Sequence, residues 1–442
     1  MLFFLSFLST SQATEVFWDG HYRSQGHFYD SLSLSESNSN ALGALQYANH
    51  WLSLRPTWKI TSKVALHSQL DFLYLQPFGA SATYFQDPAL ADQVIGFPEG
   101  VVGSGDISNT LSASRIWGEV NSDIGIIRFG RMPVHWGAGM IFNAGNQPTQ
   151  LIGDTVDRLQ YSKQIDSVFL LGAIETREEG FISAKDDTTA GTLGIYYAAD
   201  RLSAGIYNVY ARQQVEDSSF GQFTTDVHGR ADLGALKIET ELAFQYGSGD
   251  LNNGLDAITQ RGFGGLIDAS LQMDELIAGL NLGYASGDDD LTDKEFKTFS
   301  FDQNYDISLM LFDQVLPTVN PTVSNELNQG LETGAARLGN SISNAIYVQP
   351  RIAYKVSETF TPEFRVLLAR AAQLPEEESA NNRYGVELNA NLHYQPVEKF
   401  LLRAQLGYLF PGTYLTNYTD PDFGSGFDQN AYGAELNAVI QF

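Results

Sequence analysis

Cysteine is absent from the 442 residues. That excludes disulfides, thiolate metal sites, a cysteine nucleophile and a lipidated cysteine anchor. Basic residues are scarce: 26 Lys and Arg stand against 52 Asp and Glu, a net charge of −26. A chain this acidic lacks the basic surface that binding phosphates requires, so nucleic acid is excluded as a partner. No apolar run approaches the ~20 residues of a membrane-crossing helix. Neither HExxH nor GxSxG occurs, none of the seven histidines sits in a recognisable catalytic pattern, and nothing calls for a cofactor or metal.

What the chain does have is glycine (41 residues), aromatics (12%) and alternation. The last stretch, YGAELNAVIQF, places Tyr432, Ala434, Leu436, Ala438, Ile440 and Phe442 on one face. Gly433, Glu435, Asn437 and Gln441 fall on the other, and Val439 alone breaks the pattern. Successive side chains of a strand point to opposite faces, so this is an amphipathic strand. A near-copy, YGVELNANLHY, starts 48 residues earlier, with Tyr384, Val386, Leu388, Ala390, Leu392 and Tyr394 on its apolar row. Apolar rows bracketed by aromatics suit a strand whose outer face meets lipid and whose inner face meets a polar lumen.

The same unit, a long strand, a tight turn and another long strand, recurs along the chain. It spans 43–60 with 64–76, 111–120 with 124–135, 156–163 with 167–177, 192–198 with 202–212, and 224–231 with 236–246. It continues with 262–271 and 276–284, 344–355 and 360–369, and 383–395 and 400–410. An opening strand (15–29) and a closing one (431–442) bring the count to eighteen, with sixteen as the alternative. The tight turns all fall at one end, while long polar connections (77–110, 136–155 and 287–340) fall at the other. Short turns at one rim and long loops at the other are the signature of an all-β, antiparallel, up-and-down transmembrane barrel. The pattern predicts one barrel domain over 14–442, set in the bacterial outer membrane with both termini periplasmic and the long loops extracellular. Residues 1–13, a short apolar run ending Ser11-Gln12-Ala13, read as a secretory signal without a basic leading region. Lipid and lipopolysaccharide are the expected surroundings. The acidic loops would bridge to lipopolysaccharide through divalent cations or simply stay solvated.

An eighteen-strand interior is wide enough for an aqueous channel. The candidate lining comprises Arg115, Arg131, Arg158, Lys237, Glu239, Glu241, Arg351, Lys355, Glu363, Arg365 and Arg403. Arginine pairs well with carboxylate, so these residues would bind a carboxylated or hydroxylated solute in passing, or brace the wall. Segment 287–340 carries ten acidic residues and three basic ones, yet also Phe296, Phe299, Phe301, Tyr305, Leu309, Met310, Leu311 and Phe312. A purely solvated loop has no use for those, so the segment is expected to fold over or into the mouth. Its GDDDLTD run offers hard oxygen ligands for calcium but lacks the EF-hand pattern.

Two stretches carry a family resemblance: IRFGRMPVHWGAGMIFN (127–143), and GYASGDDD (283–290) followed by FKTFSFDQNYD (296–306). With the apparent eighteen strands they resemble the alginate-export family of outer-membrane porins. That likeness implies an arginine-lined lumen, inward or gating loops and passage of an anionic polysaccharide; the acidic balance of this chain departs from it. The terminal Phe442 resembles the C-terminal signal read by the barrel-assembly machinery. The alternative function is a non-conducting receptor, adhesin or scaffold acting through its loops; an enzymatic role finds no support.

Overall fold

Alternation governs the wall. The computed structural model describes residues 15–30, 45–78, 111–178, 187–215, 218–250, 257–290, 293–314, 341–374, 382–416, 419–420, 424–425 and 429–442. The expected signal segment 1–13 and most of the connection 77–110 lie outside these residues. The first nine wall strands are β1 (Glu15–Asp30), β2 (Leu45–Lys59), β3 (Val64–Pro77), β4 (Leu111–Ser122), β5 (Gly125–Pro133), β6 (Thr155–Ile165), β7 (Val168–Glu178), β8 (Thr188–Ala198) and β9 (Leu202–Val215). The other nine are β10 (Ser218–Asp232), β11 (Leu236–Gly249), β12 (Ile258–Met273), β13 (Leu276–Ala285), β14 (Ala345–Tyr354), β15 (Phe360–Ala371), β16 (Arg383–Val397), β17 (Phe400–Pro411) and β18 (Ala431–Gln441).

Each strand pairs antiparallel with the next, and β18 returns to β1 in the register Tyr22↔Ile440. The sheet therefore closes as an eighteen-strand barrel. The Phe442 N–H and C=O exchange 3.2 Å hydrogen bonds with Gly20, sealing the last register. All connections at one rim are two to five residues long. In three of its two-residue turns Asp166, Asp274 and Lys399 take φ of 52°, 53° and 65°, the left-handed conformation such hairpins need.

The outer face is apolar and left uncovered. Ile195, Ile206, Val227 and Leu242 stand side by side in cross-strand register, each more than a third exposed. Nearer the long-loop rim, Tyr210, Phe223 and Tyr246 form the parallel aromatic row. A surface like this is suited to lipid and costly in water.

The inner face differs from expectation in two places. Tyr384 is buried inside, packed edge-on to Phe312 and Tyr414, and not on the outer row. A register irregularity at Ala369/Arg370, opposite Gly385 with φ 143°, adds a residue to β16 and reverses the side-chain parity there. The second difference is connection 136–155, which runs inside the barrel instead of standing above it. Over its described residues, 287–314 also runs inside, as its apolar residues lead us to expect. Phe299, Phe301, Ile307, Leu309, Met310 and Leu311 are almost wholly buried against wall residues such as Tyr29, Leu266, Tyr347 and Leu409. Gly264 makes room for this: a Cβ there would sit 2.1 Å from the Phe299 ring.

Candidate functional site

The lumen is narrowed by two inward segments, each tied to the wall by buried polar groups. The first leaves β5 at Val134 and returns to β6 at Asp154, its limbs bonded by Trp136 N–H to Phe142 O at 3.0 Å and Asp154 N–H to Asn143 O at 2.8 Å. Glu241, on β11 and fully buried, accepts the Ala138 N–H at 2.5 Å and the Met140 N–H at 3.2 Å. Asp226 accepts the Trp136 indole N–H at 3.1 Å, and that ring stacks on Tyr207. Arg115, 3% exposed, donates to Ala144 O, Thr155 Oγ1 and Gln69 Oε1 at 2.5, 3.0 and 3.1 Å. Three strands along the wall, on β1, Arg23 donates to Pro148 O and Gln150 O.

The second segment is held by one carboxylate. Glu387, fully buried on β16, accepts three successive backbone N–H groups, Leu309 at 2.9 Å, Met310 at 3.1 Å and Leu311 at 2.7 Å. Gln349 donates to Ile307 O at 2.5 Å. The two segments also hold each other: Asp302 N–H meets Met140 O at 2.6 Å, and Leu151 N–H meets Asn304 Oδ1 at 3.2 Å.

Between them and the β15–β2 side of the wall lies a polar cavity of about 360 Å³. Its charged lining is Asp306 and Asp313 from the second segment, with Arg365, Arg403 and Glu435 from the wall. Burial pushes the Asp313 carboxyl well above the ordinary carboxylate range, and the neighbouring Asp306, Glu435 and Glu387 add to the shift. Burial also raises Asp306, with Arg403 and Arg365 opposing and Glu435 reinforcing. Both groups therefore keep their protons to higher pH than free aspartates do.

The residues expected to line a path fall into four groups. Arg403 faces the cavity, its Nη1 3.4 Å from Thr149 Oγ1. Arg115 and Glu241 are the loop anchors just described. Arg158 with Glu175 (3.3 Å), Glu239 with His228 (2.9 Å), Arg351 with Asp268 (2.6 and 2.7 Å) and Glu363 with Arg365 (2.6 Å) are paired along the wall. Lys237, 3.9 Å from Asp232, and the exposed Lys355 sit at the tight-turn rim.

Arg131 requires correction: it does not line the lumen. It stands in register with Ile116 and Asp157, on the outward row of Phe129 and Leu159, and is paired to Asp157 at 2.6 Å with both side chains about half exposed. Arg128, three residues earlier, takes the inward position and pairs with Glu119 at 2.8 Å. The anchors Glu387, Asp226 and Arg23 were not among the expected site residues. Two signals pointed to them: Glu387 lies in the repeated YGxELNA stretch, and Arg23 shares a row with His21 and Gln25. In the acidic run after Gly287, Lys297 lies 2.7 Å from Asp289 and 3.6 Å from Asp293, so an internal ammonium occupies the place a cation would take. Among the described residues no group of three His, Asp or Glu forms a metal-binding cluster.

No family model matches the sequence, and no curated protein does. Solved structures do. OccK9 (OpdG) of Pseudomonas aeruginosa aligns over 96% of this chain and 98% of its own, at 13% identity and a TM-score of 0.56. OccAB3 of Acinetobacter baumannii aligns over 96% and 99%, at 12% identity and TM-score 0.56. A BenF-like porin from Pseudomonas fluorescens Pf-5 aligns over 97% and 98%, at 10% identity and TM-score 0.56. At such identities the likeness is one of fold, and the fold is that of an outer-membrane porin.

Proposed function

We propose that the chain is an integral outer-membrane channel that passes small polar solutes through a lumen narrowed by its own loops. The observation that carries this reading is the pair of inward segments. They are fixed by buried carboxylates and arginine, yet they leave a polar, charged cavity instead of a dry core. A receptor or scaffold acting through external loops gains nothing from tying those loops inside the wall. The fold shared with porins supports the same conclusion, and the tight-turn rim with both termini is assigned to the periplasm.

A polysaccharide path, as the alginate-export resemblance suggests, is the weaker extension. A polymer would need both segments to leave the lumen, and most of the candidate arginines are already paired to carboxylates. Folded protein in planar bilayers should give discrete conductance steps in KCl. Heat-modifiable, folded protein that never conducts would leave the receptor or scaffold reading standing.

A further inference from the structure

The cavity is unusually rich in amides: nine of its 23 lining residues are Asn or Gln. Four wall and loop groups leave polar atoms without a hydrogen-bond partner among the described residues. They are Asn49 Oδ1, an acceptor, Asn304 Nδ2 and Arg403 Nε, two donors, and His27 Nδ1, which lies 3.5 Å from Glu435 Oε2. Asn49 and Asn304 are 2% and 6% exposed. Each amide is oriented by its other end: Asn49 Nδ2 lies 3.2 Å from His27 Nε2, and Asn304 Oδ1 accepts the Leu151 N–H. An unpartnered buried polar atom is costly, and a ligand that bonds to it recovers the loss.

We infer that this cavity is a binding subsite for an uncharged polyhydroxylated solute, a small sugar or polyol. The inference rests on the channel reading above and names the solute class. A hydroxyl both donates and accepts, as an amide does, so it satisfies a lining that mixes lone acceptors and lone donors. Charge argues the same way. A free anion would meet the carboxyl groups of Asp306, Asp313 and Glu435 against two guanidiniums, one of which, Arg365, is engaged by Glu363 at 2.6 Å. A free cation would meet the Arg403 guanidinium, while burial lets Asp306 and Asp313 keep their protons to higher pH and so weakens their pull on it. A neutral solute avoids both penalties. The stacked pair His27–Tyr47, with ring centroids 4.4 Å apart, adds an apolar surface on the same wall for the C–H face of a sugar ring.

The test uses the full chain in planar bilayers with glucose, sucrose and glycerol as neutral probes, and propionate and choline as charged ones. We expect concentration-dependent interruption of the KCl current by the sugars, persisting at high salt, and none by propionate or choline. Asn49→Ala and Gln405→Ala should each weaken the sugar block about fivefold, the loss of roughly one hydrogen bond. Block by propionate and not by sugars, or sugar passage with no block in the wild type, overturns the inference and leaves the channel intact. Absence of any KCl conductance removes the channel reading itself.

Discussion

At the scale of single residues, the same chemical type does different work depending on the row it occupies. Glu241 and Glu387 are fully buried carboxyl groups that accept backbone N–H groups from loops, whereas Glu239 pairs with the His228 ring and Glu363 with the Arg365 guanidinium. Parity along a strand largely reveals which residues face inward, but not what they meet there. Arg131 shows how parity can also be misapplied. Arg128 and Arg131 are three residues apart, so one strand can turn only one of them inward, and Phe129 puts Arg131 on the outside. Glu387 is the residue whose role is most open to test. A hydrogen bond contributes roughly 0.5–1.5 kcal/mol net, and this carboxyl group accepts three from consecutive residues. Glu387→Ala removes both acceptor oxygens, and with them all three hydrogen bonds, while leaving the wall ladder untouched. The 309–311 stretch should then become cleavable by protease in the folded barrel, and single-channel current should rise and turn noisy. Unaltered protease resistance would show that apolar packing alone seats the segment.

At the scale of elements, the strands were legible because alternation, turn residues and loop-length sorting all point the same way. The inward course of 136–155 was not legible. Two of its anchors come from strands far away in sequence, Asp226 on β10 and Glu241 on β11. The second segment was half legible, since its aromatic and aliphatic residues announced burial without saying against what. Its removal tests the constriction directly: deleting 290–338 should raise single-channel conductance in a barrel that still folds. An equal or smaller conductance from the folded deletion mutant places the constriction in 136–155 alone. The segment also carries a pH dependence whose sign is fixed by its aspartates. Asp306 and Asp313 have raised pKa values when docked, so the docked state holds protons that the free segment does not. Docking is therefore strengthened as pH falls and weakened as pH rises through the raised values. Conductance should fall, and cation preference should shrink, on acidification from about pH 8 to about pH 4, with the change centred above the ordinary carboxylate range. Asp306→Asn with Asp313→Asn should flatten that dependence; an unchanged pH profile in the double variant would assign it to other groups.

At the scale of the whole molecule, closure decides stability. An open sheet in a bilayer leaves two edges of unpaired N–H and C=O groups, each costing several kcal/mol in hydrocarbon, so partial opening is steeply unfavourable. The seam between β1 and β18 is thus a place where a small local change should act on the entire barrel. Gly20 lies on it. A Cβ at Gly20 would fall 2.4 Å from Ser53 O and 2.7 Å from the Phe442 ring, and the backbone of Gly20 holds Phe442 by both hydrogen bonds. The ring can swing aside, but the Ser53 carbonyl belongs to the β1–β2 ladder and cannot move without breaking pairs. Gly20→Val should therefore lower the temperature at which the folded band gives way to the unfolded one on SDS gels, and should do so in a single step. Phe442→Asp removes the ring without touching the ladder, and so it separates two roles. If Phe442 serves chiefly as an assembly signal, the variant yields less folded protein in cells, while the fraction that folds melts like wild type. If its ring chiefly packs the seam, the variant melts at a lower temperature whatever the yield. A Phe442→Asp protein with wild-type yield and wild-type melting would assign the closing contact to the backbone alone.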